Sequence, residues 1–95
     1  MSKSKTAKVL DIRTPAEVAE GKLEGSIVVD YRDANFAELI AKLDKTADYI
    51  MHCRSGGHVS EAIPLMRELG FTGDLTNAGG IDDASALTGL PIVGA

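Results

Sequence analysis

Four short aliphatic runs alternate with stretches spaced like helices along this chain, and that alternation leaves few folds open. The runs are KVLDIR (Lys8–Arg13), SIVVDY (Ser26–Tyr31), DYIMHC (Asp48–Cys53) and the weaker GDLTNA (Gly73–Ala78). Rich in Val, Ile and Leu and bounded by turn residues, each reads as a strand. Three helical stretches lie between them. Thr14, Pro15 and Glu17 open the first as N-cap, first helical residue and capping-box partner, and Gly21 closes it. The second, Asn35–Leu43, carries Phe36, Leu39, Ile40 and Leu43 at helical spacing behind Asn35 as N-cap. The third runs from His58 to Leu69 and stops at Gly70. Pro64 inside it implies a kink or a shifted boundary. IDDASAL (Ile81–Leu87) adds one or two helical turns, and the apolar tail TGLPIVGA docks or stays disordered. Strands alternating with helices at this interval predict an α/β fold with a parallel sheet and right-handed crossovers.

The chain has 95 residues, enough for one domain. The expected division is a flexible start over residues 1–7, a domain over 8–92 and a tail over 93–95. No apolar run is long enough to span a membrane. The basic start MSKSKTAK leads into no apolar core of a signal peptide. A net charge of −4 with no basic stripe argues against nucleic acid. The single cysteine cannot form an internal disulfide and suits a reducing, cytoplasmic compartment.

That cysteine, Cys53, stands where the third strand ends, before the turn Arg54-Ser55-Gly56-Gly57 and the helix that starts near His58. Ligands of parallel sheets bind beyond the carboxyl ends of the strands. Free amides of a turn and a first helical turn converge there, and the helix's positive end favours an anion. Gly56 and Gly57 permit the left-handed dihedrals of such a cradle. A thiolate so placed is a good nucleophile, with Arg54 and His58 adding positive charge at the rim. The competing reading is a buried, inert strand-end cysteine. A metal site would need more ligands than His52 and His58, six residues apart. A cysteine phosphatase would need an Arg six residues after the nucleophile, where Val59 stands instead.

Taken together, three motifs in order resemble the rhodanese (thiosulfate sulfurtransferase-like) family. LDIRTPAEVAEGKLEGSIVVD is similar to its opening run, with Asp11, Arg13, Glu17, Gly21 and Gly25 in place. CRSGGHVSEA resembles its active loop at Cys53, Arg54, Ser55, Gly56 and Ala62, and LGFTGDLTNAGGIDD followed by GLP resembles its closing run at Gly79, Gly80, Leu90 and Pro91. The resemblance implies a single rhodanese-like domain, a parallel sheet of four to five strands flanked by helices. Only seven residues precede Lys8, which implies four strands, in the order fourth, third, first, second. It also implies a sulfurtransferase that carries sulfane sulfur as a Cys53 persulfide. The partners would be a small donor such as thiosulfate and an acceptor that is cyanide, another thiol or a protein thiol, with no cofactor, metal, nucleic acid or membrane. Arg54, Ser55, Gly56, Gly57, His58 and Val59 would bind substrate, and Asp11 and Arg13 would support the loop as an ion pair. The alternative is a non-catalytic binding or sulfur-carrier module. The chain departs from the family pattern at His58, where Arg is frequent, at Val59, where a small hydroxyl residue is frequent, and at Ala84, where Trp is usual.

Overall fold

The computed structural model describes residues 7–94. The expected flexible start lies outside them except for Ala7, and so does Ala95. Four parallel strands form one sheet: β1 (Lys8–Asp11), β3 (Ile27–Val28), β4 (Tyr49–His52) and β5 (Leu75–Asn77), in the order β3-β1-β4-β5. That is the expected order, and the strands are shorter than the aliphatic runs that announced them. A second sheet pairs β2 (Lys22–Leu23) with β6 (Ile92–Val93), antiparallel. The apolar tail therefore docks. Among the described residues, no helix is long and apolar enough to cross a membrane.

The helices are α1 (Pro15–Ala19), α2 (Phe36–Ala41), α3 (Gly57–Glu68) and α4 (Ile81–Thr88). The capping box of α1 forms as read: the Glu17 N–H donates to Thr14 Oγ1 at 3.4 Å, and the Thr14 N–H donates to Glu17 Oε1 at 3.1 Å. The cap expected of Asn35 does not form. The Asn35 side chain makes no capping hydrogen bond; instead Asp33 accepts, its carboxylate from the Asn35 N–H and its carbonyl from the Phe36 N–H. α2 also ends two residues before Leu43. Helix α3 begins at Gly57, one residue earlier than predicted, and runs through Pro64. Ser60 and Pro64 both face solvent, so water can satisfy the carbonyl that proline leaves without a donor. Its end is a Schellman motif. Gly70 takes a φ of +101° and donates to the Arg67 carbonyl, while the Phe71 N–H reaches the Met66 carbonyl.

The two faces of the sheet bury different side chains. Leu10, Ile12, Tyr49, Met51, Val59, Ala62 and Met66 join Phe36 and Ile40 in the main core, between the sheet and α2 and α3. Val9, Leu23 and Ala84 pack in a smaller cluster on the other face, against which Ile81 and Leu90 rest. Leu10 is fully buried on the central strand β1. Truncating it to Ala should lower the unfolding free energy by about 2–5 kcal/mol, measured by urea titration. The same change at Leu87, 58% exposed on α4, should cost less than about 0.5 kcal/mol.

Candidate functional site

The parallel pairing of β1 and β4 sets Asp11 beside His52 and places the two loops that follow side by side. Cys53 directly follows β4, and its N–H donates to the Gly79 carbonyl at 3.0 Å. Arg54 and Ser55 then turn outward. Gly56 reverses the chain at φ +97°, a conformation that costs any other residue about 1–3 kcal/mol. Its N–H donates to Cys53 Sγ at 3.0 Å. The next three N–H groups, of Gly57, His58 and Val59, open α3 and have no intrahelical acceptor.

Glycines also let three chain segments meet at this loop. A Cβ on Gly56 would lie 3.0 Å from Asn77 Oδ1 and 3.2 Å from Gly79 Cα, and one on Gly80 would lie 2.8 Å from the Arg54 carbonyl oxygen. Asn77 links the segments. Its amide donates to the Gly56 carbonyl at 3.0 Å and to Ser60 Oγ at 3.2 Å, and its Oδ1 accepts from the Gly79 N–H at 2.9 Å.

Beneath the loop lies the ion pair expected of Asp11 and Arg13. Both are buried. Arg13 Nε donates to both carboxylate oxygens, at 3.0 and 3.1 Å, and Nη2 donates to Oδ2 at 2.8 Å. The same guanidinium reaches the Gly21 carbonyl at 2.7 Å and the Glu17 carbonyl at 3.3 Å, tying α1 to the end of β1. Its hydrogen bonds with Asp11 raise the Arg13 pKa, so the guanidinium stays charged. His52 is fully buried, with Nε2 3.8 Å from Asp11 Oδ2 and neither ring nitrogen hydrogen-bonded among the described residues. The neighbouring Cys53 N–H is committed to Gly79. Burial lowers the His52 pKa; Asp11 opposes that shift and Arg13 adds to it. His52 is therefore a neutral imidazole at pH 7.

Cys53 is only 2% exposed, yet two clefts reach it. The first holds about 280 Å³ and is lined by Ile12, Arg13, Thr14, Glu17, Asp30, Arg32, Cys53, Arg54 and His58. The second holds about 380 Å³, with Glu20 and Ile81 joining Arg13, Glu17, Cys53 and Arg54. Of the loop residues singled out in the sequence, Cys53, Arg54 and His58 line a cleft. The Val59 side chain is in the core, so Val59 can offer a ligand only its N–H. The His58 ring stacks on Tyr31, centroids 4.8 Å apart at 19°, and the Tyr31 hydroxyl donates to Glu61 at 2.9 Å. Sequence reasoning missed Asp30, Arg32 and Glu20. The first two follow β3, and the rule that ligands gather beyond strand ends was the signal available for them. Among the described residues, no group of three or more His, Cys, Asp or Glu side chains gathers to hold a metal.

The family model of the rhodanese-like domain matches residues 1–86. The chain belongs to the rhodanese-like family. It is 33% identical over 85 residues to a sulfurtransferase of Allochromatium vinosum, covering 90% of this chain and 77% of that protein. It is also 33% identical over 92 residues to thiosulfate sulfurtransferase 16, chloroplastic, of Arabidopsis thaliana, covering 86% and 76%. Among solved structures, a rhodanese-like domain from Anabaena superposes with a TM-score of 0.76 at 21% identity, covering 94% of this chain and 93% of that one. A rhodanese with anions from E. coli superposes at 0.73 and 23% identity, covering 95% and 100%. The rhodanese-like fold read from the three motifs is thus the fold of this chain.

A neutral buried histidine gives this rhodanese-like domain an acid-side weakness. Because the His52 pKa is lowered in the fold, the unfolded chain takes up that proton first as pH falls below about 6.5. Stability is then lost progressively until the folded pKa is reached. Replacing His52 by Met should flatten the dependence of unfolding free energy on pH between about 5 and 6.5. Urea titrations at several pH values measure that slope independently of any overall change in stability.

Proposed function

We propose that this domain is a sulfurtransferase holding sulfane sulfur as a persulfide on Cys53. A small donor such as thiosulfate would load it, and a thiophilic acceptor, cyanide or a thiol, would remove it. The observation that carries this reading is the Gly56 N–H···Sγ contact of 3.0 Å at the start of α3. A thiolate accepting that bond keeps a lone pair for attack. It attacks the outer sulfur of thiosulfate, the S–S bond breaks, and sulfite leaves with the bonding pair. The outer sulfur then bears the charge, and the N–H groups of Gly57, His58 and Val59 suit an anion there. Arg54 and His58 meet the donor in the cleft. Ser55, Gly56 and Gly57 supply loop backbone, and Asp11 with Arg13 hold the neighbouring loop in place.

Residues 8–92 are the rhodanese-like domain in this reading. The single thiol fits a reducing, cytoplasmic setting. A non-catalytic carrier or binding module is the second reading, favoured by the near-complete burial of Cys53.

Mass spectrometry after thiosulfate treatment separates these readings. The wild-type chain should gain one sulfur atom, and Cys53→Ser should gain none while keeping its fold, because a hydroxyl is far less acidic than a thiol and the Ser Oγ can still accept from Gly56. A loaded wild type that fails to pass sulfur to cyanide is a carrier. A wild type that never loads is a binding module. A Cys53→Ser variant that still transfers sulfur would rule out the mechanism.

Charge at position 58 yields a further prediction. An arginine there carries a positive charge at every working pH. Arginine can also stack on Tyr31 as His58 does. His58→Arg should therefore raise kcat/KM for thiosulfate roughly tenfold, the worth of one charge-assisted hydrogen bond, chiefly through KM. Steady-state thiosulfate:cyanide kinetics at low salt measure it. Equal values would mean that Arg54 and the loop amides already suffice.

A further inference from the structure

The two clefts that meet at Cys53 differ in charge. Arg13 lines both, but its charge is already met by Asp11. The first cleft then sets Arg32 and Arg54 against Glu17 and Asp30. The second sets Arg54 alone against Glu17 and Glu20. An anionic donor is therefore better met from the side of Arg32 and His58, and the second cleft is the more negative approach.

Glu20 acts on Arg13, whose pKa it helps to raise after Asp11 and Glu17, but its own position is an unfavourable one. It is the C-cap residue of α1, where the helix carbonyls already carry partial negative charge and a cation would be the stabilising choice. It lies three residues from Glu17, so two like charges share one side of the helix. Its carboxylate enters no hydrogen bond or ion pair among the described residues. Glu17 has one carboxylate oxygen in the capping box with Thr14, and the other accepts no hydrogen bond among the described residues. A cation held between the two carboxylates would relieve their repulsion. Ile81 supplies an apolar wall on the same cleft, suited to a short alkyl stem.

We propose that the second cleft is the acceptor's entrance and that it selects a small thiol carrying a protonated amine. This rests on the reading of Cys53 as a sulfur carrier. The ammonium sits between Glu17 and Glu20, the stem lies on Ile81, and the thiolate faces Cys53. That thiolate attacks the outer sulfur of the persulfide. The bond between the outer sulfur and Sγ breaks, its electron pair passes to Sγ, and the new thiolate keeps the Gly56 N–H as its partner. The acceptor leaves as a persulfide, and no oxidant or reductant is consumed. Donor and acceptor thus use different mouths of one site.

The test compares the wild type with Glu20→Lys, a change at an exposed position. Each protein is loaded with thiosulfate and desalted, and the single-turnover discharge rate is followed with cysteamine, neutral 2-mercaptoethanol and anionic 3-mercaptopropionate. The readout is each charged thiol's rate divided by that of 2-mercaptoethanol, so any general loss of activity cancels. The cysteamine ratio should fall roughly three- to tenfold in Glu20→Lys, the 3-mercaptopropionate ratio should rise, and both shifts should shrink at high salt. Unchanged ratios overturn the proposal. A second arm needs no sulfur transfer: Cys53 is modified with cationic 2-aminoethyl methanethiosulfonate and with the neutral methyl reagent. Glu20→Lys should slow the cationic reagent by a similar factor relative to the neutral one. If the wild type never loads but this selectivity appears, the carrier reading falls and the cationic subsite stands. If it loads and neither selectivity appears, only the subsite falls.

Discussion

The register between β1 and β4 is the constraint on which the site depends. Pairing Lys8 with Tyr49 forces Asp11 to lie opposite His52, and the chain leaves both strands at the same edge of the sheet. Asp11 then holds Arg13, and Arg13 holds the carbonyls that end α1. A buried ion pair adds little net stability over an apolar pair, but removing either partner strands a charge in the core. What the pair contributes here is position. It holds α1, with Glu17 and Glu20, beside the thiol loop.

Close approach of backbones is the second determinant. The Cys53 loop, the β5–α4 turn and the start of α3 meet within van der Waals distance at Gly56, Gly79 and Gly80. Asn77 spans all three with one amide group. A side chain at Gly56 or Gly80 would push the loop away from the turn and disturb the Gly56 N–H that reaches Sγ. Ala84 packs fully buried with Val9 and Leu23 in the small cluster behind the sheet.

The Gly56 N–H donates to Cys53 Sγ, whereas the clefts beside it mix carboxylates with guanidinium groups. His52, which precedes Cys53 at the end of β4, is a buried ring with no hydrogen bond among the described residues, an unusual state for a polar group.

Local chemistry was legible in the sequence. The capping box at Thr14, the stop at Gly70, the strand–helix alternation and the placement of Cys53 at a strand end all rest on contacts within a few residues. The strand order and the Asp11–Arg13 pair were also anticipated, on the resemblance of the three motifs to one family. Other features were decided only when distant segments met. β2 and β6 are two residues each, too short to show any period, and their pairing joins Lys22 to Val93 and Leu23 to Ile92, from near opposite ends of the chain. Asn35 is a good cap by residue type, but its side chain makes no capping bond, and Asp33 accepts instead from the Asn35 and Phe36 N–H groups through a local turn. Val59 reads as a substrate-binding residue at the start of a helix, and the fold turns its side chain into the core. The convergence of Arg32, Glu20 and Cys53 on adjoining clefts has no local signature, because it depends on where three different strand ends lie in the finished sheet. Sequence determines what each segment can form, since those forces act over a turn or a strand; tertiary structure decides which charges share a cavity, since that requires the whole sheet to close.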